Sequence, residues 1–507
     1  MRLKLVRVLL GALLLAGCAG LPRHVIKYQS VALRTPEETR LGRLVAQAED
    51  GKPKTLSGIR LLISGESAFD SLIALADHAE RTLDVQYYII HQDDSARAFL
   101  QHVRAAADRG VRVRVLVDDL NTAGEDRRFM HLEQHANIDV RVFNPFPGGR
   151  SATWTRILNS LSDIPRINHR MHNKLLVADN ALAITGGRNI GDEYFTRDKY
   201  SNFIDLDVVA AGPVVPQLSA SFDAFWNSKY AYPISSLAPR VGPESSSAHA
   251  AVLEPNPAAE ANWLARELDE GELELEWMPA TVLADRPAKI ANDGTPDEGE
   301  VTISNNVASL LRRAQRDIII ISPYFVPGAD GIALLKELRS RGVRIRVITN
   351  SLASTDASIV YDGYSHYRVA ALKLGVELYE VRPRLGQHKP RFHPFRYANA
   401  SLHAKAIVID DLTVFIGSMN MDERSARFNS ELGLVLRSTD IAEQVTALLE
   451  DIRADGSYRL SLDEHSHVVW SSGPPGEEKI WHHDPQTSRL QRFLLKLLAP
   501  FAPEEML

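Results

Sequence analysis

Two stretches of the chain repeat one polar pattern: "MHNKLLVAD" from Met171 to Asp179 and "LHAKAIVID" from Leu402 to Asp410. Each reads His-x-Lys-x4-Asp, the two copies lie 231 residues apart, and their surroundings are apolar. Gly-x-x-Asn follows both at the same distance, so that Gly186 matches Gly417 and Asn189 matches Asn420. An imidazole can attack an electrophile or carry a proton, and a neighbouring ammonium can hold negative charge. In an extended strand residues i and i+2 share a face, which aligns His172 with Lys174 and His403 with Lys405. One copy alone is equally well read as the wet side of an edge strand; two copies with identical spacing point to a common role. Asp179 and Asp410 have the opposite parity and stand at Asp-Asn and Asp-Asp dipeptides. Those are turn positions, where a carboxylate secures local structure rather than touching a substrate.

The elements that hold these residues repeat as well. "RGVRVRVLVDD" (Arg109–Asp119) recurs as "RGVRIRVITNS" (Arg341–Ser351), offset by 232. Ahead of them lie the β-rich runs "LDVQYYII" (Leu83–Ile90) and "IIIISPYFV" (Ile318–Val326). Leu100 and Val103 mark a helix after the first run, and Ile332, Leu335 and Leu338 mark one after the second. Strand, helix, Arg-Gly turn and strand make a βαβ unit with parallel strands. "ALAITGGRN" and "LTVFIGSMN" then extend the duplication downstream of each motif.

With 507 residues, 45% of them hydrophobic and 24% charged, the chain is globular and large enough for two domains or more. A net charge of −6 argues against a dedicated nucleic-acid binder. Arg2, Lys4 and Arg7 precede the apolar run Val8 to Ala16, the format of an export signal. Two residues beyond that run stands Cys18, the only cysteine, which excludes an intramolecular disulfide. The expected division is residues 1–17 as signal peptide, 18–57 as anchor and helix, and 58–234 as first half. It continues with 235–300 as a Pro-, Gly- and Ser-rich connector of limited structure, 301–455 as second half, and 456–507 as a C-terminal extension. "TPEE" (Thr35–Glu38) is read as the capped start of the first helix.

Both motif copies resemble the HKD signature of the phospholipase D superfamily. More narrowly, "LDVQYYI", "FNPF", "RMHNK", "GGRNIGDEYF", "SLHAK" and "FIGSMNMDERSARFNSELG" are similar to bacterial cardiolipin synthases of the C type. The resemblance implies two α/β halves, with mixed, largely parallel sheets flanked by helices, related by a pseudo-twofold axis around one shared site. Displacement at a phosphodiester needs a nucleophile, a proton donor for the leaving alkoxide, and positive charge around the equatorial oxygens. His172 is expected as nucleophile and His403 as acid and base, an assignment that sequence symmetry leaves open to reversal. Lys174 and Lys405 supply charge, Asn189 and Asn420 supply amide donors, and no metal or cofactor is required. Matching the family's pattern assigns Glu431 to orient His403 and Asp205 to orient His172. Gly187 stands where the second half has Ser418, so the first half lacks one hydroxyl. The ending at Cys18 resembles a lipobox, which implies a lipidated N-terminus and a mature charge of −9. Ala19 after it implies the periplasmic leaflet of the outer membrane in preference to the inner membrane.

The stretch 381–396 carries Arg382, Arg384, Lys389, Arg391 and Arg396 with no acid, either a rim for anionic headgroups or a solvated loop. Near the C-terminus, Asp484-Pro485 is read as a helix start, and Leu490, Phe493, Leu494, Leu497 and Leu498 as an apolar stripe ending before Pro500. Such a basic amphipathic helix lies in a membrane interface or docks on its own core. "WHHD" (Trp481–Asp484) is a poor metal site. The expected protein is an enzyme that moves a phosphatidyl group between phospholipids, from phosphatidylethanolamine or phosphatidylglycerol to phosphatidylglycerol. Its rivals are hydrolysis to phosphatidic acid, a nuclease, and an inert envelope scaffold.

Overall fold

The computed structural model describes residues 21–22, 24–146, 150, 168–238, 262–291, 301–383, 399–474 and 476–498. Cys18, the leader 1–17, Pro500 and the basic residues Arg384, Lys389, Arg391 and Arg396 lie outside them.

The first half holds β1 (Leu56–Leu62), β2 (Thr82–Tyr87), β3 (Arg112–Asp118), β4 (Ile138–Phe143), β5 (Leu175–Ala178), β6 (Leu182–Gly186), β7 (Ser201–Ile204), β8 (Asp207–Ala211) and β9 (Ala231–Pro233). The runs rich in Val, Ile and Leu become β2, β3 and β4, which pair in parallel because helices Asp94–Asp108 and Asp126–Glu133 return the chain to the same edge. Leu100 and Val103 of the first of these helices are buried. Antiparallel hairpins complete the sheet in the order β9-β4-β3-β2-β5-β6-β8-β1.

The second half repeats this plan with β10 (Glu276–Ala284), β11 (Asp317–Ile321), β12 (Arg344–Asn350), β13 (Glu377–Val381), β14 (Asn399–Leu402), β15 (Ala406–Ile409), β16 (Thr413–Gly417), β17 (Leu432–Arg437) and β18 (Ser457–Leu462). Its order, β18-β13-β12-β11-β15-β16-β17-β10, matches the first sheet strand for strand, with β10 in the place of β1. Two further strands, β19 (Val468–Ser472) and β20 (Lys479–Trp481), extend it beyond β18.

β10 lies inside the segment 235–300 that composition marks as a connector, and so does the helix Trp263–Glu270. That reading is corrected: its Pro- and Gly-rich flanks drew attention from "EWMPATVLA", a strand half-buried along most of its length. The N-terminal half of β10 pairs antiparallel with β1 and its C-terminal half with β17, so one strand joins the two sheets. A second junction is the parallel pair β7–β14. One hydrophobic cluster runs through both halves, with Leu175, Val208 and Phe222 from the first and Ile319, Leu402 and Leu434 from the second.

Two helix starts differ from expectation. Pro36–Glu38 forms a single 3-10 turn, and the hydroxyl of Thr39, accepting from Gly42 N, caps helix Arg40–Ala48. At the other end Gln486 takes a left-handed φ of 57°, which stops a helix from starting at Pro485. Ser488 instead accepts from Gln491 N at 3.0 Å to open helix Arg489–Leu498, and Asp484 pairs with Arg368.

A core shared between halves predicts that neither stands alone. Residues 21–238 produced separately should show no cooperative thermal transition and should aggregate through the bare edge of β1. Co-production with residues 262–507 should restore a soluble, cooperatively melting complex, read by circular dichroism.

Candidate active site

The motif histidines stand just before β5 and β15, where the chain is extended but has left its own sheet. There each pairs with the opposite half. Met171 bridges Ser430 in parallel, with His172 N donating to Ser430 O at 2.9 Å and Ser430 N to Arg170 O at 2.9 Å. In the symmetric position β14 pairs with β7, placing Leu402 beside Ile204, and His403 N donates to Ile204 O at 2.8 Å.

In each case the next residue on the facing strand is a carboxylate. Nδ1 of His172 lies 2.9 Å from Glu431 Oε2 and 3.2 Å from Oε1, and Nδ1 of His403 lies 2.6 Å from Asp205 Oδ2. The pairing is therefore crossed, which corrects the assignment of Glu431 to His403 and of Asp205 to His172. Counting along the chain assumes that each half orients its own histidine. The inter-half strand pairs instead bring positions 172 and 431, and 403 and 205, into lateral contact.

Each carboxylate fixes the tautomer, because a proton on Nδ1 leaves Nε2 as a bare lone pair. Lys405 Nζ also approaches His403 Nδ1 at 2.9 Å, yet that nitrogen serves only one of the two partners. The shorter contact to a carboxylate governs. Lys174 Nζ donates to the carbonyl of His172 at 2.6 Å and Lys405 Nζ to that of His403, so both ammonium groups are held at the histidine backbone.

All six of these residues and the two asparagines, Asn189 and Asn420, are almost fully buried, with His172 the most accessible at 8%. Burial pushes the His172 imidazole down to about 4, helped by the charge of Lys174 and opposed by Glu431. Burial and then Lys405 lower His403, while Asp205 and Asp356 pull it back up. Burial also brings Lys405 down to about 8 and holds Lys174 well below its usual range. For Asp205 burial acts upward, but His403, Lys405 and Arg188 together outweigh it and the carboxyl sits at about 2. Lys405 acts on His172, Asp205 on Lys174, and Glu431 on Lys405, so the two motif copies form one electrostatic unit.

The remaining sequence candidates fall into two groups. Asn189 accepts from Ile89 N at 3.2 Å and donates to the Tyr194 hydroxyl at 2.9 Å, whereas Asn420 Oδ1 is buried without a partner. Ser418 donates to Glu431 and accepts from Leu432 N at 3.0 Å. Its counterpart must be glycine: a Cβ on Gly187 would lie 2.1 Å from Asp205 Oδ1. Asp205, one methylene shorter than Glu431, fills that space and accepts from Leu206 N at 2.7 Å instead. Asp179 and Asp410 lie apart, in the tight turns of the hairpins β5–β6 and β15–β16, with left-handed φ of 53° each. Asp179 accepts from the amides of Glu80, Arg81 and Thr82, and Asp410 from those of Gln315, Arg316 and Asp317.

Several residues of the site carry no motif and were missed. Tyr88 meets His172 edge-on at 5.0 Å between ring centroids, and Tyr194 meets His403 at 5.2 Å. Arg188 donates to the carbonyl of Asp205 at 2.6 Å and to Asp207 Oδ2 at 3.1 Å. Asp285, just past β10, donates its backbone N–H to Glu431 O, and its carboxylate accepts from Glu431 N and from Lys289 Nζ. Tyr88, Arg188 and Tyr194 sit within the quoted family-like stretches, which was the available signal; Asp285 had none. Among the described residues no group of three or more His, Cys, Asp or Glu side chains is arranged to hold a metal ion.

The chain resembles known proteins in sequence and in fold. The family profile described as "Cardiolipin synthase, PLD-like domain" matches residues 72–226 and again 307–453, once in each half. Cardiolipin synthase C of Escherichia coli K12 is 37% identical over 451 residues, covering 87% of this chain and 94% of that protein. An uncharacterized protein of Helicobacter pylori is 33% identical over 523 residues and covers 100% of both chains. Among solved structures, phosphatidylserine synthase of Haemophilus influenzae shares the fold with a TM-score of 0.55 at 14% identity, over 92% of this chain and 100% of that one. With both repeats matched and its strand order duplicated around crossed histidine pairs, the chain belongs to the phospholipase D-like family of the cardiolipin synthases.

Proposed function

We propose that this protein is a phosphatidyltransferase that makes cardiolipin through a phosphohistidine intermediate. The observation that carries the proposal is the pair of crossed histidine–carboxylate contacts, which brings two imidazoles and two lysines from separate halves into one buried site. In the first step Nε2 of His172 attacks phosphorus, the N–P bond forms, and the P–O bond to the headgroup alcohol breaks. His403 gives its proton to the departing alkoxide. In the second step the terminal hydroxyl of phosphatidylglycerol gives its proton to His403, its oxygen bonds to phosphorus, and His172 is released. Lys174 and Lys405 hold the equatorial oxygens, with Asn189 and Asn420 beside them.

Two observations support this division of roles. His172, lowered to about 4, is neutral across the physiological range and so has its lone pair ready. His403 is lowered as well, by burial and then by Lys405, with Asp205 and Asp356 acting against them towards its protonated form. A phosphodiester anion entering among the lysines acts in the same direction as these carboxylates, since it offsets the positive charge that holds the imidazoles down.

The same reading places the enzyme at a membrane, anchored through lipidated Cys18 and facing the periplasm. No helix among the described residues is long and apolar enough to cross a membrane. Helix Arg489–Leu498 packs against Ser358–Lys373 and turns Leu495 towards the second-half core. Its stripe points elsewhere: Leu490, Phe493 and Leu497 are 65%, 62% and 55% exposed. An apolar face turned outward next to Arg489 and Arg492 suits the headgroup region of an anionic bilayer.

Purified protein incubated with mixed phosphatidylglycerol and phosphatidylethanolamine should yield cardiolipin by mass spectrometry; phosphatidic acid alone would establish hydrolysis instead. His172→Ala and His403→Ala should each lower turnover about 10³-fold or more, and the double variant should resemble either single one. Substantial activity in one of them would rule out a shared site.

Stability should follow pH in a defined sense. The folded value of His172, about 4, lies below the 6.5 of an exposed histidine, so only the unfolded chain takes up this proton between them. Stability is full above pH 6.5 and falls as pH drops towards 4. Urea unfolding of wild type across that interval should show the loss, and His172→Asn should show a shallower one.

A form beginning at residue 19 behind an ordinary export signal, and one also lacking Ser488–Leu507, should release the protein from membranes in two steps. Membrane association unchanged after both truncations would refute the anchoring.

A further inference from the structure

Beside His403 lies a cleft of about 450 Å³ formed by both halves, with Glu193, Asp198 and Phe203 from the first and Asp356, Asn399 and Ser401 from the second. Phe203 connects it to the catalytic histidine, with 4.9 Å between the ring centroids. Asp356 makes the same connection through charge, since it acts on both His403 and Lys405.

The lining has a consistent chemistry. Among the described residues it is lined by three carboxylates and by no lysine or arginine. Among the described residues the Asp198 carboxylate accepts from the amides of its own turn, Tyr200 N and Ser201 N, and that of Asp356 from the Tyr324 hydroxyl at 2.9 Å. Among the described residues neither has a cationic partner. Glu193 is engaged by His91 at 2.9 Å. Ser401 is 3% exposed, lines the cleft, and its hydroxyl has no hydrogen-bond partner. A buried hydroxyl left unpaired at a cleft wall has its bonding capacity free for a ligand or a water. Unneutralised carboxylates around it favour donors, ammonium or hydroxyl, and repel anions.

We infer that this cleft is the alcohol site of the enzyme, where the leaving headgroup departs and the incoming alcohol arrives, and that it selects non-anionic alcohols: polyols and amino alcohols. The inference rests on the phosphatidyltransferase reading and adds to it which part of the substrate sits where. The site lies beside His403 because that residue exchanges the alcohol proton in both steps. A lipid acceptor inserts only its terminal glycerol, so that its own phosphate remains outside the ring of carboxylates.

The test uses the full chain in detergent with phosphatidylglycerol and phosphatidylethanolamine as donors. Deuterated ethanolamine and glycerate compete as free acceptors, and products are read by mass spectrometry. Wild type should form labelled phosphatidylethanolamine and little or no phosphatidylglycerate. Asp356→Asn keeps an acceptor for Tyr324 and should lower the ethanolamine-to-glycerate preference about fivefold or more. Ser401→Ala removes only a hydroxyl and should raise KM for both alcohols alike while leaving their ratio in place. Melting temperatures close to wild type identify both variants as folded. Equal use of the two alcohols by wild type, or an unaltered ratio in Asp356→Asn together with unaltered KM values in Ser401→Ala, overturns the assignment. Absence of any phosphatidyl transfer by wild type, cardiolipin included, instead overturns the function on which it rests.

Discussion

The lateral pairing of strand ends across the two halves is the constraint on which the site depends. Ile204 beside Leu402, and Ser430 beside Met171, are backbone contacts with no chemical role of their own. They nevertheless decide which carboxylate meets which imidazole, and thereby which ring nitrogen carries the proton. Neither half contains a complete histidine–carboxylate pair. The shared hydrophobic cluster and the joining strand β10 therefore belong to the proposed site as much as its side chains do, because they hold the register on which the crossed pairs rely.

Burying two lysines and two histidines against two carboxylates carries a large desolvation cost, and the site shows where it falls. Both imidazoles and both ammonium groups are pushed towards their neutral forms, and the carboxyls of Asp205 and Glu431 are held ionised by the histidines they face. Such a centre is short of negative charge until an anion enters. In the proposed reaction a phosphodiester supplies that charge, so the substrate completes an arrangement that is otherwise unfavourable. The same economy explains the asymmetry of the two halves. Glu431 is steadied by Ser418, whereas Asp205 presses against Gly187, held by its own neighbour's amide and by Arg188.

Much of this was legible in the sequence, for identifiable reasons. The duplication and the βαβ units were readable because Val- and Ile-rich runs and Arg-Gly turns recur at one offset. His172, Lys174, His403 and Lys405 stood out because polar residues at fixed spacing in apolar stretches need an explanation. Asp205 and Glu431 were identifiable as carboxylates of the site, but their partners were not. Partnership depends on strand pairing between halves, and local periodicity carries no information about contacts 198 or 259 residues apart. β10 was hidden for a related reason: it alternates poorly, being half-exposed, and is fixed by partners on both sides. Asp285 was hidden with it. The helix starts were misplaced where a serine or threonine three or four residues on offered a better cap than the one nearest the proline.

The position of β10 along the chain also sets an order of events during synthesis. The first half is fully made by residue 238, yet the edge of β1 finds its partner only when Glu276–Ala284 emerges. Asp205 waits longer still, until β14 and His403 have been made. Closing such long loops is slow relative to forming the local βαβ units. The nascent chain thus passes through a stage in which a nearly finished α/β layer presents a bare strand edge and an unpaired carboxylate. The proposed catalytic centre cannot form until the second half has been made, and that interval leaves the chain open to mispairing with a neighbour.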